Sequence, residues 1–509
     1  MDNKKFDTQI QYIKYKVLKE TAILAWKDEL LEHILDIPYK AIPGTKPSMR
    51  CCVYKERAIV AERVKLAMGD DRDTSKLIKV IDIACEECPA GGYEVTNACV
   101  GCISHRCAEV CKFGAIEFDH NRVAHIDRSK CKECGACSRA CPFTAIIFRK
   151  RPCENACKIK AITMNENKAA RIKYEKCISC GACVKQCPFG AINDKSFILD
   201  AVKLIKESEN NTKYKVYCVV APSIATQFSY ATLGQAVTGI KETGFYDVIE
   251  AAWGADLVAD KETKELIEKG KLISSCCPSF VIYINKNYPE LVPYISHNVS
   301  PMVEIAKLIK SNDPAAKIVF AGPCIAKKVE REYENVRDYV DVVLTFEELQ
   351  ALIGSKRIDL KTLEETELSN ASKFGRLFGR SGGLTEALKQ GIKENESDFE
   401  LKSYIGDGIE SCKSALKALK NGTLIENFIE GMACVDGCIG GPGCLKHEMR
   451  HKSDLNKFAE KSTKISLKNW KNSLTSSFLV CTRKLLVFLK IAAKPAYFKK
   501  LDRSLTFIF

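Results

Sequence analysis

The sequence predicts a multidomain protein of α+β and α/β type, in which a cysteine-rich α+β region precedes an α/β region. Two patterns indicate this order: cysteine segments repeat between residues 99 and 192, and short apolar runs alternate with amphipathic helical stretches from about residue 213. The chain has 509 residues and is 46% hydrophobic, which is enough for two to four domains with cores of their own. Its 27 cysteines are therefore not needed as disulfide staples.

Residues 1–80 are predicted to be mainly helical, with one break at Ile42-Pro43-Gly44. The start of the chain, MDNKKFDTQIQYIKYKVLKE, has no apolar signal-peptide core and no cleavage-like site. We therefore expect a cytoplasmic protein. In that reducing compartment, C-x-x-C spacing is typical of metal ligation by thiolates.

Four segments of the next hundred residues align with one another. In each, a cysteine is followed four residues later by Ala-Ile; the segments are Cys99 to Ile116, Cys131 to Ile146, Cys153 to Ile162 and Cys177 to Ile192. The second and fourth read C-x2-C-x2-C-x3-C-P, the run found in bacterial ferredoxins. The repeat predicts two tandem two-cluster ferredoxin-like units, at residues 81–147 and 148–200.

In such a run, three cysteines hold one 4Fe-4S cluster and the fourth crosses to its neighbour. This rule gives three accessory clusters, with ligands Cys99, Cys102, Cys107 and Cys141; Cys131, Cys134, Cys137 and Cys111; and Cys177, Cys180, Cys183 and Cys157.

The third segment lacks its first two cysteines, so Cys153 and Cys187 are left as half a site. Cys85 and Cys88 stand upstream at ligand spacing and are predicted to complete a fourth accessory cluster. A zinc site and a vestigial half-site are the alternatives.

From about residue 213, apolar runs such as Lys215 to Ala221, Lys271 to Ile273 and Lys317 to Ala321 predict strands that end at turn residues. In open α/β folds, ligands bind beyond the carboxyl ends of strands. Those ends carry Ser223, the Cys276-Cys277 pair and Cys324.

Three cysteine-bearing loops, SSCCPSF, AGPCIAKKVE and EGMACVDGCIGGPGCL, together predict one 4Fe-4S cubane in addition to the accessory clusters. Cys434 and Cys438 lie four residues apart in EGMACVDGCIGGPGCL, and with Cys277 and Cys324 they offer four soft thiolates. Cys276 is then a spare thiol beside the cluster, which makes it a candidate acid/base group.

The three loops, SSCCPSF, AGPCIAKKVE and EGMACVDGCIGG, resemble the signature segments of the iron-only hydrogenases, TSCCPxW, xPCxxKxxE and ExMACxxGCxxGG. The resemblance covers residues 213–450 and implies a two-lobed α/β hydrogenase domain that holds an H-cluster. It implies that Cys277, Cys324, Cys434 and Cys438 bind the 4Fe-4S part. Cys438 would also bridge to a two-iron subcluster with carbon monoxide, cyanide and dithiolate ligands.

The resemblance also implies roles around that subcluster. Lys327 would donate to a cyanide, Ser223 and Met432 would line the cofactor pocket, and Cys276 would pass the proton. Glu262, Glu265 and Ser296 would continue the proton route. Glu262 and Glu265 share one helical face, for which a solvated charged surface is the alternative.

Some positions depart from the usual motifs. Phe280 stands where Trp is usual and Gly322 where many members have Met, and the third motif reads CVDGC followed by GGPGC. These changes resemble the second, group B-like branch of the family.

The resemblance implies a ferredoxin-linked hydrogenase that interconverts H2 with protons and electrons. Its partners would be H2, protons, a soluble ferredoxin or similar carrier, and the machinery that builds the two-iron cofactor. An iron-sulfur assembly factor or an H2 sensor without significant turnover is the alternative. Cys276, Lys327 and the carboxylate route favour the enzyme, because an assembly factor would have no use for them.

The net charge of +14 does not indicate a nucleic-acid binder, because no recognition motif accompanies it. Residues 451–509 carry 13 Lys and Arg against three acids, which is +10 of that total. We treat these residues as a basic tail. It is too interrupted for a membrane span, which needs about 20 apolar residues, and is either a membrane-surface segment or a poorly packed terminus.

Overall fold

The computed structural model describes residues 2–70, 73–85, 88, 91–167, 169–464 and 466–469. The predicted order is confirmed: helices come first, then small antiparallel hairpins, then two parallel sheets covered by helices.

The N-terminal helices pack onto the α/β region. They are α1 (Gln9–Lys27), α2 (Leu30–His33), α3 (Ile37–Ala41) and α4 (Val53–Ala67). Thr8 and Gln11 form a capping box that starts α1, and Asp28, in a left-handed conformation, ends it. Ile13, Val17 and Leu18 of α1 share one core with the larger sheet of the α/β region.

The cysteine-rich region consists of short strands and single-turn helices. Its strands are β1 (Ile78–Val80), β2 (Gly92–Val95), β3 (Ile116–Phe118), β4 (Ala124–Ile126), β5 (Ile146–Arg149), β6 (Ile162–Met164), β7 (Ala170–Ile172) and β8 (Ile192–Asp194). Its helices are α5 (Asp82–Cys85), α6 (Arg106–Glu109), α7 (Ala136–Ala140), α8 (Pro152–Ala156) and α9 (Ala182–Gln186). The antiparallel pairs are β1 with β8, β2 with β5, β3 with β4, and β6 with β7.

The pairing of β1 with β8 moves one predicted boundary. Residues 78–80 were placed at the end of the helical region, but they form the strand opposite residues 192–194. The segment just before Cys85 therefore lies beside the second ferredoxin-like unit.

The α/β region contains two parallel sheets, which are the two lobes. Its strands are β9 (Val216–Val220), β10 (Asp247–Glu250), β11 (Leu272–Ile273), β12 (Lys317–Gly322), β13 (Val342–Thr345), β14 (Ser403–Asp407) and β15 (Phe428–Met432). The first sheet has the order β10-β9-β12-β13 and the second has the order β11-β15-β14. The strands of the first sheet are almost continuously buried, as expected when helices cover both faces.

The helices of this region are α10 (Ile198–Glu207), α11 (Leu233–Glu242), α12 (Ala251–Lys269), α13 (Pro278–Asn287), α14 (Pro301–Asn312), α15 (Ala326–Glu330), α16 (Phe346–Ser355), α17 (Lys373–Leu377), α18 (Gly383–Glu394), α19 (Ile409–Lys420) and α20 (His451–Glu460). Single 3-10 turns occur at Asp2–Lys5, Ile34–Asp36, Thr74–Lys76, Pro222–Thr226, Pro289–Tyr294, Leu360–Thr362, Gly437–Gly440 and Leu467–Asn469.

A buried ionic network joins the three regions. Asp194 at the end of β8 accepts from Lys14 of α1 at 2.6 Å and from Lys328 of α15 at 2.8 Å. Lys14 also reaches Glu347 at 2.6 Å, and Lys328 reaches Glu348 at 2.8 Å. Burial opposes the charge of Asp194, but the two lysines hold its pKa well below the usual value. These ion pairs connect α1, β8, α15 and α16.

The predicted boundary of the basic tail at residue 451 is wrong. Residues 451–460 form α20, whose His451, Leu455 and Ala459 are buried against the α/β region. Residues 470–509, including the apolar and basic stretch considered for a membrane surface, lie outside the described residues. Within the described residues, no helix is both long and apolar enough to cross a membrane.

Candidate functional site

The sequence-predicted loops meet at the carboxyl ends of strands from both sheets. Ser223 follows β9 and Cys324 follows β12 in the first sheet, while Cys277 follows β11 and Cys434 follows β15 in the second. Parallel strands direct their carboxyl ends to the same edge, which is where ligands bind in open α/β folds.

Contacts between the two lobes hold the loops together. Gly443 N–H donates to the Pro323 carbonyl at 2.8 Å, just before Cys324. The Lys327 ammonium donates across the lobes to the Cys276 carbonyl at 3.4 Å. Cys277 is the N-cap residue of α13, so its thiol stands at a fixed helix entry.

Four partly buried cysteines come together at this junction: Cys277, Cys324, Cys434 and Cys438. Burial raises the pKa of Cys438 to about 12, and the nearby Cys324 and Cys277 add to the effect. Burial likewise raises the pKa of Cys324 to about 11, with Cys277 next to it. The pKa of Cys434 is well above its usual value because the thiol is buried close to the other three.

This donor set fits a 4Fe-4S cubane. A 4Fe-4S cluster spreads four thiolates over four irons, and four soft thiols are the ligands it takes.

Cys276 lies beside this group and is buried. Burial raises the pKa of Cys276 well above its usual value, and the charge of the buried Glu262 raises it further. Burial also raises the pKa of Glu262 to about 7, although Ser296 and the Ser275 N–H lower it in part. Neither carboxylate oxygen of Glu262 accepts a well-formed hydrogen bond among the described residues.

A polar chain continues from Glu262 toward the surface. Ser296 Oγ donates to Glu265 at 3.0 Å, and Lys269 donates to the same carboxylate at 2.7 Å. Burial opposes ionisation of Glu265, but Lys269 and the His297 N–H hold its pKa below the usual value. The alternative of a solvated charged face is wrong for Glu262, which is fully buried.

Lys327 is a buried cation close to the thiols. Burial opposes its charge, but Glu330 at 2.6 Å holds its pKa above the usual value. Ser223 Oγ is fully buried and has no hydrogen-bond partner among the described residues. Met432 is buried in the same apolar cluster as Cys276. An unsatisfied hydroxyl and a buried ammonium provide donors for an anionic ligand in this pocket.

Sequence reasoning missed two groups beside Cys276. Glu430 on β15 is buried and accepts from the N–H groups of Gly382 and Thr385 at 2.7 and 2.8 Å. Burial raises its pKa, and its charge acts on Cys276. Ser274 accepts from Gly431 N–H at 3.0 Å and ties β11 to β15. The signal in the sequence that pointed to Glu430 was its position as the first residue of the third motif.

Two motif departures have local reasons. A side chain at Gly431 would meet the Phe280 ring at 1.9 Å, so this ring packs directly on the third motif. A side chain at Gly322 would meet the Phe320 ring at 2.7 Å and Ala221 at 3.2 Å. Phe320 therefore occupies the space that a larger residue at 322 would need.

The third predicted accessory group adjoins the site. Cys157, Cys177, Cys180 and Cys183 line a cavity of about 650 Å³ that also reaches Cys434. Burial raises the pKa of Cys180 to about 12, with Cys177, Cys157 and Cys277 close to it.

The loop of this third group closely approaches the α/β region. Gly181 has a positive φ of 74°, and a side chain there would meet Pro442 at 2.5 Å and Ile325 at 2.7 Å. Lys286 of α13 donates to the Cys177 carbonyl at 2.7 Å. The loops of the two cysteine groups therefore pack directly against each other.

In the first two accessory groups, cysteines that the predicted crossover would pair lie near one another. Burial raises the pKa of Cys107, with Cys102 and Cys141 nearby, and Cys99 packs in the same cluster. Burial raises the pKa of Cys137, with Cys131 and Cys111 nearby. Cys134 lines a small cavity with these last three cysteines.

The fourth predicted group also comes together. Cys85, Cys88, Cys153 and Cys187 line one small cavity. Burial raises the pKa of Cys153 to about 12, with Cys187, Cys85 and Cys88 among its neighbours.

The fold and the cysteine groups define an iron-sulfur protein with ferredoxin-like domains and a hydrogenase-like α/β domain. Residues 98–145 match the 4Fe-4S dicluster domain and residues 170–193 the 4Fe-4S binding domain. Residues 214–442 match the family described as iron only hydrogenase large subunit, C-terminal domain. The chain therefore carries an iron-only hydrogenase-like domain behind several 4Fe-4S-binding domains.

Its relatives include hydrogenases and assembly factors. Iron hydrogenase 1 of Clostridium pasteurianum is 28% identical over 47% of this chain and 51% of its own length. The periplasmic [Fe] hydrogenase large subunit of Nitratidesulfovibrio vulgaris is 28% identical over 64% of this chain and 87% of its own length. A cytosolic Fe-S cluster assembly factor of Xenopus tropicalis is 23% identical over 50% of this chain and 67% of its own length. The chain thus spans about half of the Clostridium relative.

Proposed function

We propose that this protein is an iron-only hydrogenase that interconverts H2 with protons and electrons, using a ferredoxin-type electron carrier. The observation that carries the proposal is the buried thiol Cys276. It adjoins the four-thiol group without being needed as a cubane ligand, it is buried, and the charge of the buried Glu262 raises its pKa. Cys277, Cys324, Cys434 and Cys438 would hold the cubane of the H-cluster. The two-iron group, when bound, would supply the heterolytic cleavage of H2.

The side chains around the pocket would bind that group and move the proton. Lys327 and the Ser223 hydroxyl would donate to its cyanide ligands, and Met432 would exclude water. Cys276 Sγ would exchange the proton with Glu262. The Ser296 hydroxyl would then link Glu262 to Glu265, whose carboxylate contacts the exposed Lys269.

The cysteine groups would carry electrons to and from the site. The group of Cys157, Cys177, Cys180 and Cys183 lies next to Cys277 and Cys434. It would be the last accessory cluster before the H-cluster. The two groups of residues 99–141 would receive electrons from a soluble carrier, and dedicated maturation machinery would install the two-iron group.

Infrared spectroscopy of the anaerobic full chain, matured with the two-iron cofactor, tests this proposal. Iron-bound carbonyl and cyanide bands that shift under H2 are expected. Cys276→Ala should keep the bands, because that thiol is not a ligand, but should lose turnover. Full cubane iron without any such bands after maturation would overturn the proposal.

A second candidate, an iron-sulfur assembly factor, is favoured by the relatives described as cytosolic Fe-S cluster assembly factors, the Xenopus protein among them. Such a protein needs cubane sites but has no use for a buried thiol and carboxylate route. Absent infrared bands, together with transfer of a cluster from the protein to an apo-ferredoxin, would favour this candidate.

A further inference from the structure

His297 is an exposed histidine at the outer end of the proposed proton route. Its side chain is 78% exposed, whereas the Glu265 side chain beside it is 12% exposed. Further in, Ser296 is 5% exposed and Glu262 is fully buried. Exposure to solvent therefore rises at each step from Glu262 to His297.

The backbone on both sides of His297 is fixed against β11 and the loop that follows it. Ser296 N–H donates to the Ile273 carbonyl at 2.8 Å. The Ser275 hydroxyl donates to the Asn298 carbonyl at 2.7 Å. These two hydrogen bonds hold His297 beside the segment that leads to the cysteine pair.

The ring of His297 contacts both members of an ion pair on α12. Its Nδ1 lies 3.0 Å from Glu265 Oε1 and 3.0 Å from Lys269 Nζ. The His297 N–H also donates to the two carboxylate oxygens of Glu265, at 3.1 and 3.2 Å. Among the described residues, Glu265 and Lys269 are the charged groups within hydrogen-bond distance of the ring.

This arrangement gives the ring a hydrogen-bond partner in both of its protonation states. When the ring is neutral, Nδ1 can accept from the Lys269 ammonium. When the ring is protonated, Nδ1–H can donate to the Glu265 carboxylate. The ring can therefore take up and release a proton in place, because neither state leaves Nδ1 without a partner.

The ion pair alone is poorly suited to exchange protons with water near neutral pH. Burial opposes ionisation of Glu265, but Lys269 and the His297 N–H hold its pKa below the usual value. An ammonium group ordinarily gives up its proton only far above neutral pH. Imidazole is the side chain that ordinarily changes its charge between about pH 5 and 8. The imidazole is therefore the group at this end of the route that is suited to the exchange.

We propose that His297 is the residue through which the proton route exchanges protons with solvent. During H2 formation, the protonated ring passes its Nδ1 proton to the Glu265 carboxylate and regains a proton from solvent. During H2 oxidation, the neutral ring takes the proton from Glu265 and releases one to solvent. Each passage moves one proton and no electron. His297 acts through Glu265 and does not touch the reacting atoms, and its role rests on the proposed function.

H2 production in weakly buffered solution tests this role. His297→Gln should lower the rate at neutral pH about 10-fold, because an amide cannot exchange the proton. The loss should be smaller than for a residue inside the route, because solvent still reaches the partly exposed Glu265. Added free imidazole should restore the rate, whereas the iron content and the KM for the electron carrier should stay at their wild-type values.

Two further variants separate proton exchange from charge and from the loss of any surface histidine. His297→Lys keeps a cation that does not exchange its proton near neutral pH, so it should be as slow as His297→Gln and should also be rescued by imidazole. His125→Gln removes an exposed histidine in the first ferredoxin-like unit, whose ring also contacts a carboxylate, Asp119 at 3.1 Å. It should keep the wild-type rate.

Nuclear magnetic resonance gives a readout that does not depend on turnover. The full chain is prepared with its cubane clusters and with isotope-labelled histidine, and the ring signal that is absent from His297→Gln is assigned to His297. At about pH 9, Lys269→Met should move the Nδ1 signal, because the neutral ring loses its donor. At about pH 5, Glu265→Gln should move it, because the protonated ring loses its anionic acceptor. The signal of His125 should not move in either variant.

A wild-type rate in His297→Gln, or a loss that imidazole does not restore, would overturn the exchange role while the proposed function stands. An Nδ1 signal that stays unchanged in both Lys269→Met and Glu265→Gln would overturn it as well. Absence of H2 turnover in the wild-type protein would instead overturn the proposed function, and the exchange role with it. The two failures are therefore distinguishable.

Discussion

Replacing Glu262 with glutamine should block the proton route while leaving the metal groups in place. The carboxyl is fully buried, and burial raises its pKa from 4.5 to about 7. That change corresponds to about 3 kcal/mol against the ionised form. A carboxyl with a pKa near the working pH can both take and release a proton, whereas an amide cannot exchange one in this way.

The expected loss of turnover is roughly 100- to 10,000-fold, the range for removing a general acid or base. The pKa of Glu262 is higher in the folded protein than in the unfolded chain, so the protonated carboxyl stabilises the folded state fully below about pH 4.5, and this stabilisation is lost as the pH rises through 7. Because the carboxyl loses its proton near pH 7, the wild-type rate should change there, and Glu262→Gln should lose this transition. H2 production with reduced ferredoxin or a dye, measured from pH 5 to 9, gives both results.

Asp256→Asn is the matched control. Asp256 is on the same helix, and burial raises its pKa to about 7 as well, but it accepts from Ser372 at 2.5 Å, away from Cys276. This variant should keep both turnover and its pH profile. Wild-type turnover in Glu262→Gln, or an equal loss in Asp256→Asn, would refute the proton-route reasoning.

Other predictions concern the neighbouring thiol and the ionic network. Cys276→Ala should retain its full iron content but lose most H2 turnover, while Cys412→Ala, at a buried thiol that donates to the Gly406 carbonyl, should keep turnover. Loss of iron in Cys276→Ala would instead make this thiol a ligand. Lys328→Met should lower the midpoint of thermal unfolding, because breaking a buried ion pair costs about 3–5 kcal/mol and leaves Glu348 uncompensated. An unchanged midpoint would show that the network does not stabilise the fold.

The grouping of the cysteines could be predicted from the sequence because the spacing within each run is local. A C-x2-C-x2-C run places three thiols on one loop, so the crossover from Cys111 or Cys157 is the only long-range step. The pairing of Cys85 and Cys88 with Cys153 and Cys187 was reached by elimination, and the structure brings these thiols together.

Charged residues between the regions could not be predicted in this way. Lys328 binds Asp194 across 134 positions, and Arg63 reaches Gly190 across 127 positions. In the sequence these side chains look like any surface Lys or Arg, since burial of a charge depends on which elements meet. For residues 451–460 the prediction of a basic tail was wrong for a different reason. His451, Leu455 and Ala459 are spaced four residues apart, which is the spacing of one buried helix face, but the prediction weighed only the basic charge of the segment.

In the proposed function, the adjacent residues Cys276 and Cys277 would take part in two different processes, proton transfer and electron transfer. Cys277 starts α13 with extended φ and ψ of −99° and 106°, and it lies among the thiols of Cys324, Cys434 and Cys180. For Cys276, burial raises the pKa most, and the charge of Glu262 is the next cause. Successive side chains on extended backbone point to opposite sides, so one thiol can face the electron-carrying groups while the other faces the proton route. In the proposed function, the short loop after β11 would therefore be sufficient to keep the proton route and the electron route apart while both reach the same pocket.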